Sequence, residues 1–506
     1  MALLAALLLT LLLQDLAVPG VAPAQESALP VTVDRLLAEQ RLAPEQVALV
    51  LHSRKRGTAI YRRQAREPMV AASNIKLPIT YAALRELTPD YRWRTTFALV
   101  EQQDGAGGET RQGLFVRGSG DPTLTLDDLR LVARQLRTRG VSRLDAGLFF
   151  AVGLFREDAL PHGNGSVPAW AAPVSPYIVG GNKVDFTLRA LPGEDQVRVF
   201  TTLPPEAVQV VSRLALNFGE PSRIAVSQRW TPQRVTFTFS GAVDPAVRTH
   251  WVSTAVKEPV GYYFMLLRAA LAEEGVASDA TLQPLPDKGT APRRVYAHES
   301  EPLRALLGQI NKDSDNVAAE VLVRTLGLRY KARGVGVEDG LGVVRERIRR
   351  DFGPLADQVA LADGNGISRD NRVSAEFLVA LLNRIAAEPG FAPEFISSLS
   401  ISGWDGTLRY RQFPDRLRGR VRAKTGSLSG VQNISGYLIT LQDVITFSFL
   451  IQAPGRSVEA LQTAQEQVLT GIFDALVEEE MPPPSLKPPP RPVTAQAQKL
   501  AADGRK

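Results

Sequence analysis

The apolar residues near the carboxyl end of the chain follow two successive periods. The stretches NISGYLITL (433–441) and VITFSFLIQ (444–452) alternate or run apolar, as in strands, and they are joined at Gln442-Asp443. With a preceding strand that ends near Ala423, they predict three antiparallel strands. The stretch SVEALQTAQEQVLTGIFDALVEEE (457–480) then takes up a helical period. Strands packed by helices from both chain ends indicate an α+β fold.

The middle of the chain, from Thr95 to about Arg294, has a different pattern. Short strand-like stretches such as GLFVRGSG, VDFTLRAL and RVTFTFSG are separated by Gly/Pro turns. Two helical stretches interrupt them, at 124–140 and 261–275. This pattern predicts separate β-rich modules inserted into the α+β fold.

The two ends of the chain differ from the rest. Residues 2–13, ALLAALLLTLLL, are too few to span a bilayer, and Ala22-Pro23-Ala24 fits a signal-peptidase site. We therefore expect a signal peptide at 1–24 and export to the bacterial periplasm or cell envelope, with an uncleaved anchor as the alternative. No other segment is apolar enough to cross a membrane, so at most peripheral membrane contact is expected. The Pro-rich stretch from Met481 predicts a disordered tail over 481–506.

Composition narrows the chemistry. The 506 residues include no cysteine and four scattered histidines, so disulfides and thiolate sites are excluded and neither a metal nor a cofactor is expected. The net charge is +6, but no run of five or more Lys/Arg occurs, and no nucleic-acid partner is expected. A mildly basic surface would suit anionic wall polymers.

Ser73 and Lys76 lie three residues apart in VAASNIKLPITYAALREL (70–87), where a helix is predicted to begin. Positions i and i+3 share one helix face, so the lysine amine can reach the serine hydroxyl. A serine needs a base to become a nucleophile, and a desolvated lysine can be that base. Taken alone, the pair is more typical of a helix cap beside an exposed lysine than of an active site.

Two further motifs change this interpretation. Ser314-Asp315-Asn316 opens a second predicted helix, and Lys424-Thr425-Gly426 lies at the end of a predicted strand. Ser-x-x-Lys, Ser-Asp-Asn and Lys-Thr-Gly, in this order, resemble the signature of penicillin-binding proteins and class A β-lactamases.

Each motif would supply one requirement of amide hydrolysis. Ser73 would attack the carbonyl carbon and Lys76 would accept its proton. Ser314 would pass a proton to the leaving nitrogen, while Asn316 would bind a substrate carbonyl or hold Lys76. The predicted catalytic residues are thus Ser73, Lys76 and Ser314.

Substrate binding is expected along the strand. Lys424 and Thr425 would bind a terminal carboxylate, and Gly426 would let the strand lie close to the substrate. The backbone N–H groups of Ser73 and Ser427 would form an oxyanion hole.

With these motifs, the sequence resembles the class C low-molecular-mass penicillin-binding proteins, the D-alanyl-D-alanine carboxypeptidase/endopeptidase family. The long interval between Ser73 and Ser314 leaves room for the inserted domains of that family. The stretches GSGDPTLTLDDL (118–129), LADGNGISRDNRVS (361–374) and SGWDGTLRYR (402–411) also resemble it.

The resemblance implies a transpeptidase-like catalytic domain formed by residues 28–95 and 290–480, of the penicillin-binding-protein/β-lactamase-like fold. A second domain (96–170 and 240–289) would interrupt it, and a third (171–239) would be nested in the second. The segment around Asp145 departs from the family pattern, because Ala146-Gly147 replaces the expected serine. The diamino acid that the enzyme prefers is therefore left open.

The implied reaction is removal of the terminal D-alanine of peptidoglycan stem peptides through an acyl-Ser73 intermediate, with β-lactams acylating the same serine. Cleavage of D-alanyl cross-links would use the same residues. Two alternatives stay open: a β-lactamase or esterase on the same scaffold, and a non-catalytic cell-wall-binding protein. The first would need a deacylating carboxylate, and no clear Glu-x-x-x-Asn element lies between Ser314 and Lys424. The second would have no use for an intact base.

Overall fold

A computed structural model describes residues 28–103, 109–156, 167–191, 196–278, 281–285 and 292–481. The signal peptide predicted at 1–24 lies outside the described residues, as does the tail predicted at 481–506 apart from Met481. The helices are α1 (Leu29–Glu39), α2 (Lys76–Leu87), α3 (Leu126–Thr138), α4 (Pro259–Glu273), α5 (Leu303–Asn311), α6 (Asn316–Gly327), α7 (Val337–Phe352), α8 (Ala375–Ala386), α9 (Ala392–Ser397) and α10 (Val458–Glu480).

The strands form five sheets within the described ranges. In chain order they are β1 (Val47–Ser53), β2 (Thr58–Arg63), β3 (Met69–Val70), β4 (Arg94–Gln103), β5 (Thr110–Arg117), β6 (Gly147–Phe150), β7 (Lys183–Ala190), β8 (Val197–Phe200), β9 (Val208–Leu216), β10 (Arg223–Trp230), β11 (Val235–Val243), β12 (Thr249–Ala255), β13 (Leu282–Pro284), β14 (Arg293–Glu299), β15 (Val359–Ala360), β16 (Arg372–Val373), β17 (Ser400–Ile401), β18 (Val421–Leu428), β19 (Val431–Ile439) and β20 (Val444–Gln452).

The largest sheet is antiparallel, with the order β17-β18-β19-β20-β1-β2, and it joins both ends of the chain. Alternate residues of β1 serve two cores. Val47 and Leu49 pack with α1 and α10, while Ala48 and Val50 pack with the helices of the opposite layer. A sheet covered on both faces needs near-continuous apolar strands, which explains the apolar runs in β1 and β20.

These contacts confirm the α+β class and the three antiparallel strands near the carboxyl end. The position predicted for the end of the first strand, near Ala423, is wrong. β18 continues to Leu428 because Lys424, Thr425 and Gly426 pair with β19. The Lys-Thr-Gly motif therefore lies within a strand of the central sheet, not at its end.

Helix α2 lies in the layer opposite α1 and α10, and it is buried on almost every side. Its first residue, Lys76, has no exposed surface. Around it pack α5, α6, α7 and α8. The fold thereby places a lysine amine in the interior, next to the central sheet.

The middle of the chain forms a mixed five-stranded sheet, β13-β6-β5-β4-β14, and two three-stranded sheets, β12-β7-β8 and β10-β11-β9. The last two form a sandwich, in which Phe186 packs edge-on against Phe237 and Phe239 with ring centroids 5.1 and 4.9 Å apart. Strand β12 lies in the segment predicted as the second domain, yet it pairs with β7 of the predicted third domain. The domain boundaries stay a prediction.

No helix in the described part of the chain has the length and apolar character needed to cross a bilayer.

Candidate active site

Ser73 lies in a 3-10 turn, Ala72–Ile75, that leads directly into α2. Ala72 adopts the left-handed region, with φ 44°, and such strain at a non-glycine residue is typical of functional sites. The turn is held by Asn433 of β19, whose Nδ2 donates to the carbonyl oxygens of Val70 and Ala71 at 2.9 Å each. The serine is therefore fixed against the central sheet.

The amine of Lys76 contacts the Ser73 hydroxyl, as the sequence predicts. Its Nζ donates to Ser73 Oγ at 2.9 Å and to Asn316 Oδ1 at 2.8 Å, and it also donates to the carbonyl oxygen of Asn365. Burial lowers the pKa of Lys76 to about 7, while the carboxylates of Asp315, Asp363 and Glu320 act in the opposite direction. A lysine with this pKa is available as a base at neutral pH.

Ser314 precedes α6 and lies between two lysine amines. Its Oγ accepts from Lys424 Nζ at 2.9 Å and from Lys76 Nζ at 3.5 Å. Like Ala72, it has a positive φ, of 60°. The next residue, Asp315, caps α6 by accepting from Ala318 N at 2.9 Å. The cap and the left-handed backbone of Ser314 together direct its hydroxyl toward the amines of Lys76 and Lys424.

Asn316 joins α6 to two other segments. Besides accepting from Lys76, it donates through Nδ2 to the carbonyl oxygen of Trp170 at 2.9 Å. The contact with Lys76 is the geometry expected for the second of the two predicted roles of Asn316, and both roles stay predictions.

Lys424 is fully buried on β18. Its Nζ donates to Ser314 Oγ and, at 2.8 Å, to the carbonyl oxygen of Thr425. Burial, and then the nearby Lys76 amine, lower the pKa of Lys424 well below its usual value. Thr425 donates to the hydroxyl of Thr407, an exposed residue, at 2.7 Å, so a pair of hydroxyl groups lies beside this lysine.

Gly426 is required by a close approach. A Cβ at this position would lie 2.9 Å from the backbone nitrogen of Ser73, closer than real Cβ atoms come. The neighbour is thus the segment that carries Ser73, and the predicted close approach of this strand to substrate stays a prediction. The following residue, Ser427, is exposed, and its hydroxyl donates to Gln432 Oε1 at 2.7 Å.

The three motifs therefore converge. Ser73, Lys76, Ser314, Asn316 and Lys424 form one chain of contacts, and Thr425, Gly426 and Ser427 continue it along β18.

Sequence reasoning missed Asn365 and Thr407 as parts of this site. The carbonyl oxygen of Asn365 accepts from Lys76 and, at 3.4 Å, from Ser73 Oγ. Its loop is fixed by Asp363, which accepts from Gly366 N at 2.7 Å and from Asn371 Nδ2 at 2.6 Å. The available signal was the stretch LADGNGISRDNRVS, which resembled the family without suggesting a role.

We expect acylation of Ser73 to accelerate as pH rises through about 7. Only neutral Lys76 can accept the serine proton, and its pKa of about 7 means that the neutral form increases through this range. The second-order rate of labelling by a fluorescent penicillin, measured from about pH 5 to about pH 9, should rise nearly tenfold per unit on the acid side and then level off. Circular dichroism over the same range controls for unfolding. A rate that is flat or falls with pH would contradict a lysine base.

A half-buried serine beside a buried lysine, between an antiparallel sheet and a helical layer, is completed here by Ser-Asp-Asn and Lys-Thr-Gly. This arrangement is the signature of the class that comprises penicillin-binding proteins and class A β-lactamases. The model of the D-Ala-D-Ala carboxypeptidase 3 (S13) family matches residues 29–471, and the chain belongs to this family. Its members are serine peptidases, and hence hydrolases.

Relatives agree with this assignment. The D-alanyl-D-alanine carboxypeptidase of Actinomadura sp. (strain R39) is 28% identical over 88% of this chain and 86% of its own length. The D-alanyl-D-alanine carboxypeptidase DacB of Haemophilus influenzae is 24% identical over 73% of this chain and 77% of its own length. The crystal structure of penicillin binding protein 4 from H. influenzae matches with a TM-score of 0.70 and 22% identity, covering 88% of this chain and 99% of that protein. This likeness confirms the fold class.

Proposed function

We propose that this protein removes the terminal D-alanine from peptidoglycan stem peptides through an acyl-Ser73 intermediate. One observation carries the proposal: the desolvated Lys76 amine lies 2.9 Å from the Ser73 hydroxyl, with the Ser314 hydroxyl on its other side. Family membership indicates that the peptide bond between two D-alanines is cut. The geometry indicates which side chains cut it, namely Ser73, Lys76 and Ser314.

The first step forms an ester. Ser73 Oγ attacks the carbonyl carbon of the penultimate D-alanine while Lys76 Nζ takes the hydroxyl proton. The carbonyl oxygen becomes an oxyanion, and the N–H groups of Ser73 and Ser427 are the proposed donors to it. Each such donor contributes about 3–4 kcal/mol of barrier reduction in enzymes of this kind.

The C–N bond then breaks, and the leaving nitrogen needs a proton. Ser314 bridges the two lysine amines, so it can donate its proton to the leaving nitrogen and recover one from Lys76. Lys424 holds Ser314 in this position. Free D-alanine leaves, and Lys76 is neutral again.

The second step reverses the first with water. Lys76 takes a proton from a water molecule that attacks the ester carbonyl, and Ser73 regains a proton as the shortened peptide departs. A β-lactam keeps its leaving nitrogen attached through the opened ring, so its acyl-enzyme persists. The same residues would cut D-alanyl cross-links between stem peptides.

The terminal carboxylate of the substrate would first meet hydroxyl groups. Lys424 is fully buried, whereas Thr425 is linked to the hydroxyl of the exposed residue Thr407. We propose that these two threonines bind the carboxylate and that Lys424 supplies positive charge from beneath. Because a carboxylate stabilises the charged amine, substrate binding would raise the pKa of Lys424.

A peptide that ends in D-Ala-D-Ala tests the proposal. We expect the purified chain to release one D-alanine per peptide, read by mass spectrometry, and to form a stable covalent adduct with penicillin. A cross-linked stem dimer, digested in parallel, would show whether the same site also acts as an endopeptidase.

The same assay separates the alternatives. Rapid turnover of penicillin would favour a β-lactamase, and a folded chain with neither adduct nor D-alanine release would favour a non-catalytic wall-binding protein. The substrate lies in the bacterial envelope, and we propose that the chain is exported there.

A further inference from the structure

The sheet β12-β7-β8 carries a row of aromatic side chains on its outer face. Trp251 lies opposite Thr187, and Thr187 lies opposite Phe200. Residues directly opposite each other project from the same face of a sheet. Trp251 is 77% exposed and Phe200 is 46% exposed. Two open rings therefore flank a small threonine, separated by two strand spacings, or about 10 Å.

These rings are not needed by the core. The inner face of the same sheet is filled by Phe186 and Leu188, which pack against Phe237 and Phe239 of the facing sheet. A single exposed apolar residue is ordinary, but two large rings aligned on one flat face indicate a contact surface.

Polar groups surround the aromatic row on this face. Thr249 lies opposite Arg189, and Arg189 lies opposite Arg198. On the other side of the row, Ser253 lies opposite Asp185. Each of these residues is half-buried or exposed. Hydroxyl groups, two guanidinium groups and one carboxylate thus lie on the same face of the sheet as the rings.

This combination matches a polysaccharide. A sugar ring presents an apolar C–H face that stacks on an aromatic ring, while its hydroxyl and acetamido groups lie at the edge, where side-chain donors and acceptors can reach them. Two rings at a fixed spacing can hold two sugars of one strand. The arginine pair suits a polymer that also carries carboxylates, as does the net charge of +6.

Other macromolecules fit less well. A bilayer surface would have to desolvate Asp185 and the guanidinium groups beside the rings. A nucleic acid would bring phosphates toward the same Asp185, and two arginines are few for a backbone track.

We propose that the outer face of sheet β12-β7-β8 binds the glycan strand of peptidoglycan, with Trp251 and Phe200 stacking on its amino sugars. This inference rests on the proposed function, because the stem peptides cut at Ser73 are attached to that strand. A second attachment to the polymer raises the effective concentration of stem peptides near Ser73. The benefit applies to polymer and not to a free peptide.

The test uses the full chain and glycan strands from which stem peptides have been removed enzymatically. Co-sedimentation with insoluble stripped glycan should show binding by the wild type. The double variant Trp251→Ala/Phe200→Ala should bind at least about tenfold more weakly, because stacked aromatic residues dominate such contacts. Tyr330→Ala is the matched control, since Tyr330 is 73% exposed and lies in the turn after α6. Arg189→Glu should weaken binding to both the intact wall and the stripped glycan, because both polymers carry carboxylates.

The two proposals fail in distinguishable ways. If penicillin labelling and cleavage of the free peptide are absent in the wild type, the proposed function fails. If both are present and the double variant keeps wild-type retention on glycan, the glycan face is wrong. The glycan proposal is also wrong if the double variant keeps glycan binding but loses a wild-type interaction with DNA, with anionic phospholipid vesicles or with a second copy of the chain. Unchanged penicillin labelling of the double variant, together with an unchanged circular dichroism spectrum and thermal melting curve, excludes misfolding as the cause of weaker retention.

Discussion

Replacing Ser73 with alanine should eliminate both the covalent penicillin adduct and the release of D-alanine. The hydroxyl oxygen forms the bond to the acyl group in each reaction, and no other hydroxyl occupies its place beside Lys76 and the Asn365 carbonyl among the described contacts. Removal of a catalytic serine from a peptidase lowers turnover by about 10⁶-fold. Intact-protein mass spectrometry after incubation with penicillin measures the adduct directly.

The matched control is Ser397→Ala. Ser397 is an exposed residue at the end of α9, where its hydroxyl donates to the Glu394 carbonyl oxygen at 2.9 Å. This variant should label at the wild-type rate. The assignment of Ser73 fails if the Ser73→Ala protein still gains the mass of the opened β-lactam. Thermal melting curves for both variants verify that each is folded.

Replacing Lys76 with methionine should slow acylation by about 10²- to 10⁴-fold, the range that a general base contributes. Methionine keeps an unbranched side chain of similar length but cannot accept a proton. The nucleophile stays in place, so slow labelling at a single site should persist. Stopped-flow or timed quench labelling with a fluorescent penicillin gives the rate, and Lys331→Met, at a partly exposed lysine paired with Asp339 at 3.0 Å, is the control.

Lys76→Met should also change how stability depends on pH. Burial lowers the folded pKa of Lys76 to about 7, so between that value and the ordinary lysine range the unfolded chain binds more protons than the folded one. Lys76 therefore destabilises the wild type most at the acid end of this interval, and its cost fades as pH rises. The variant should melt at least as high as the wild type at neutral pH, and its advantage should shrink in alkaline buffer.

A Lys76→Met variant that acylates at the wild-type rate would contradict the role of Lys76 as base.

The sequence predicts the contacts within each motif because each motif is local, while the catalytic roles of these residues stay a proposal. Ser73 and Lys76 need only one turn of helix to meet, and Asp315 caps its own helix wherever that helix packs. The resemblance to the family then predicts how the elements that carry these motifs are arranged in the fold.

What the sequence did not predict depends on distant parts of the chain. Asn365 contributes a backbone carbonyl, which every residue possesses, so its identity carries no signal. The strand continues past Ala423 because β19 pairs with Lys424–Gly426, and this tertiary pairing overrides the weak strand preference of lysine and glycine. The left-handed backbone of Ala72 is also unpredictable, since alanine rarely adopts it.

The strand order of the central sheet also constrains when this sheet can form during synthesis of the chain. Strand β1 pairs with β20, so the two ends of the polypeptide must meet before this sheet is complete. Ser73 is therefore synthesised long before β18, the strand that lies against it. The sheets in the middle of the chain can form before synthesis is complete, because their paired strands are closer in sequence than β1 and β20 are. The active site would then be completed at the last stage of folding, once β18, β19 and β20 have joined the central sheet through β1.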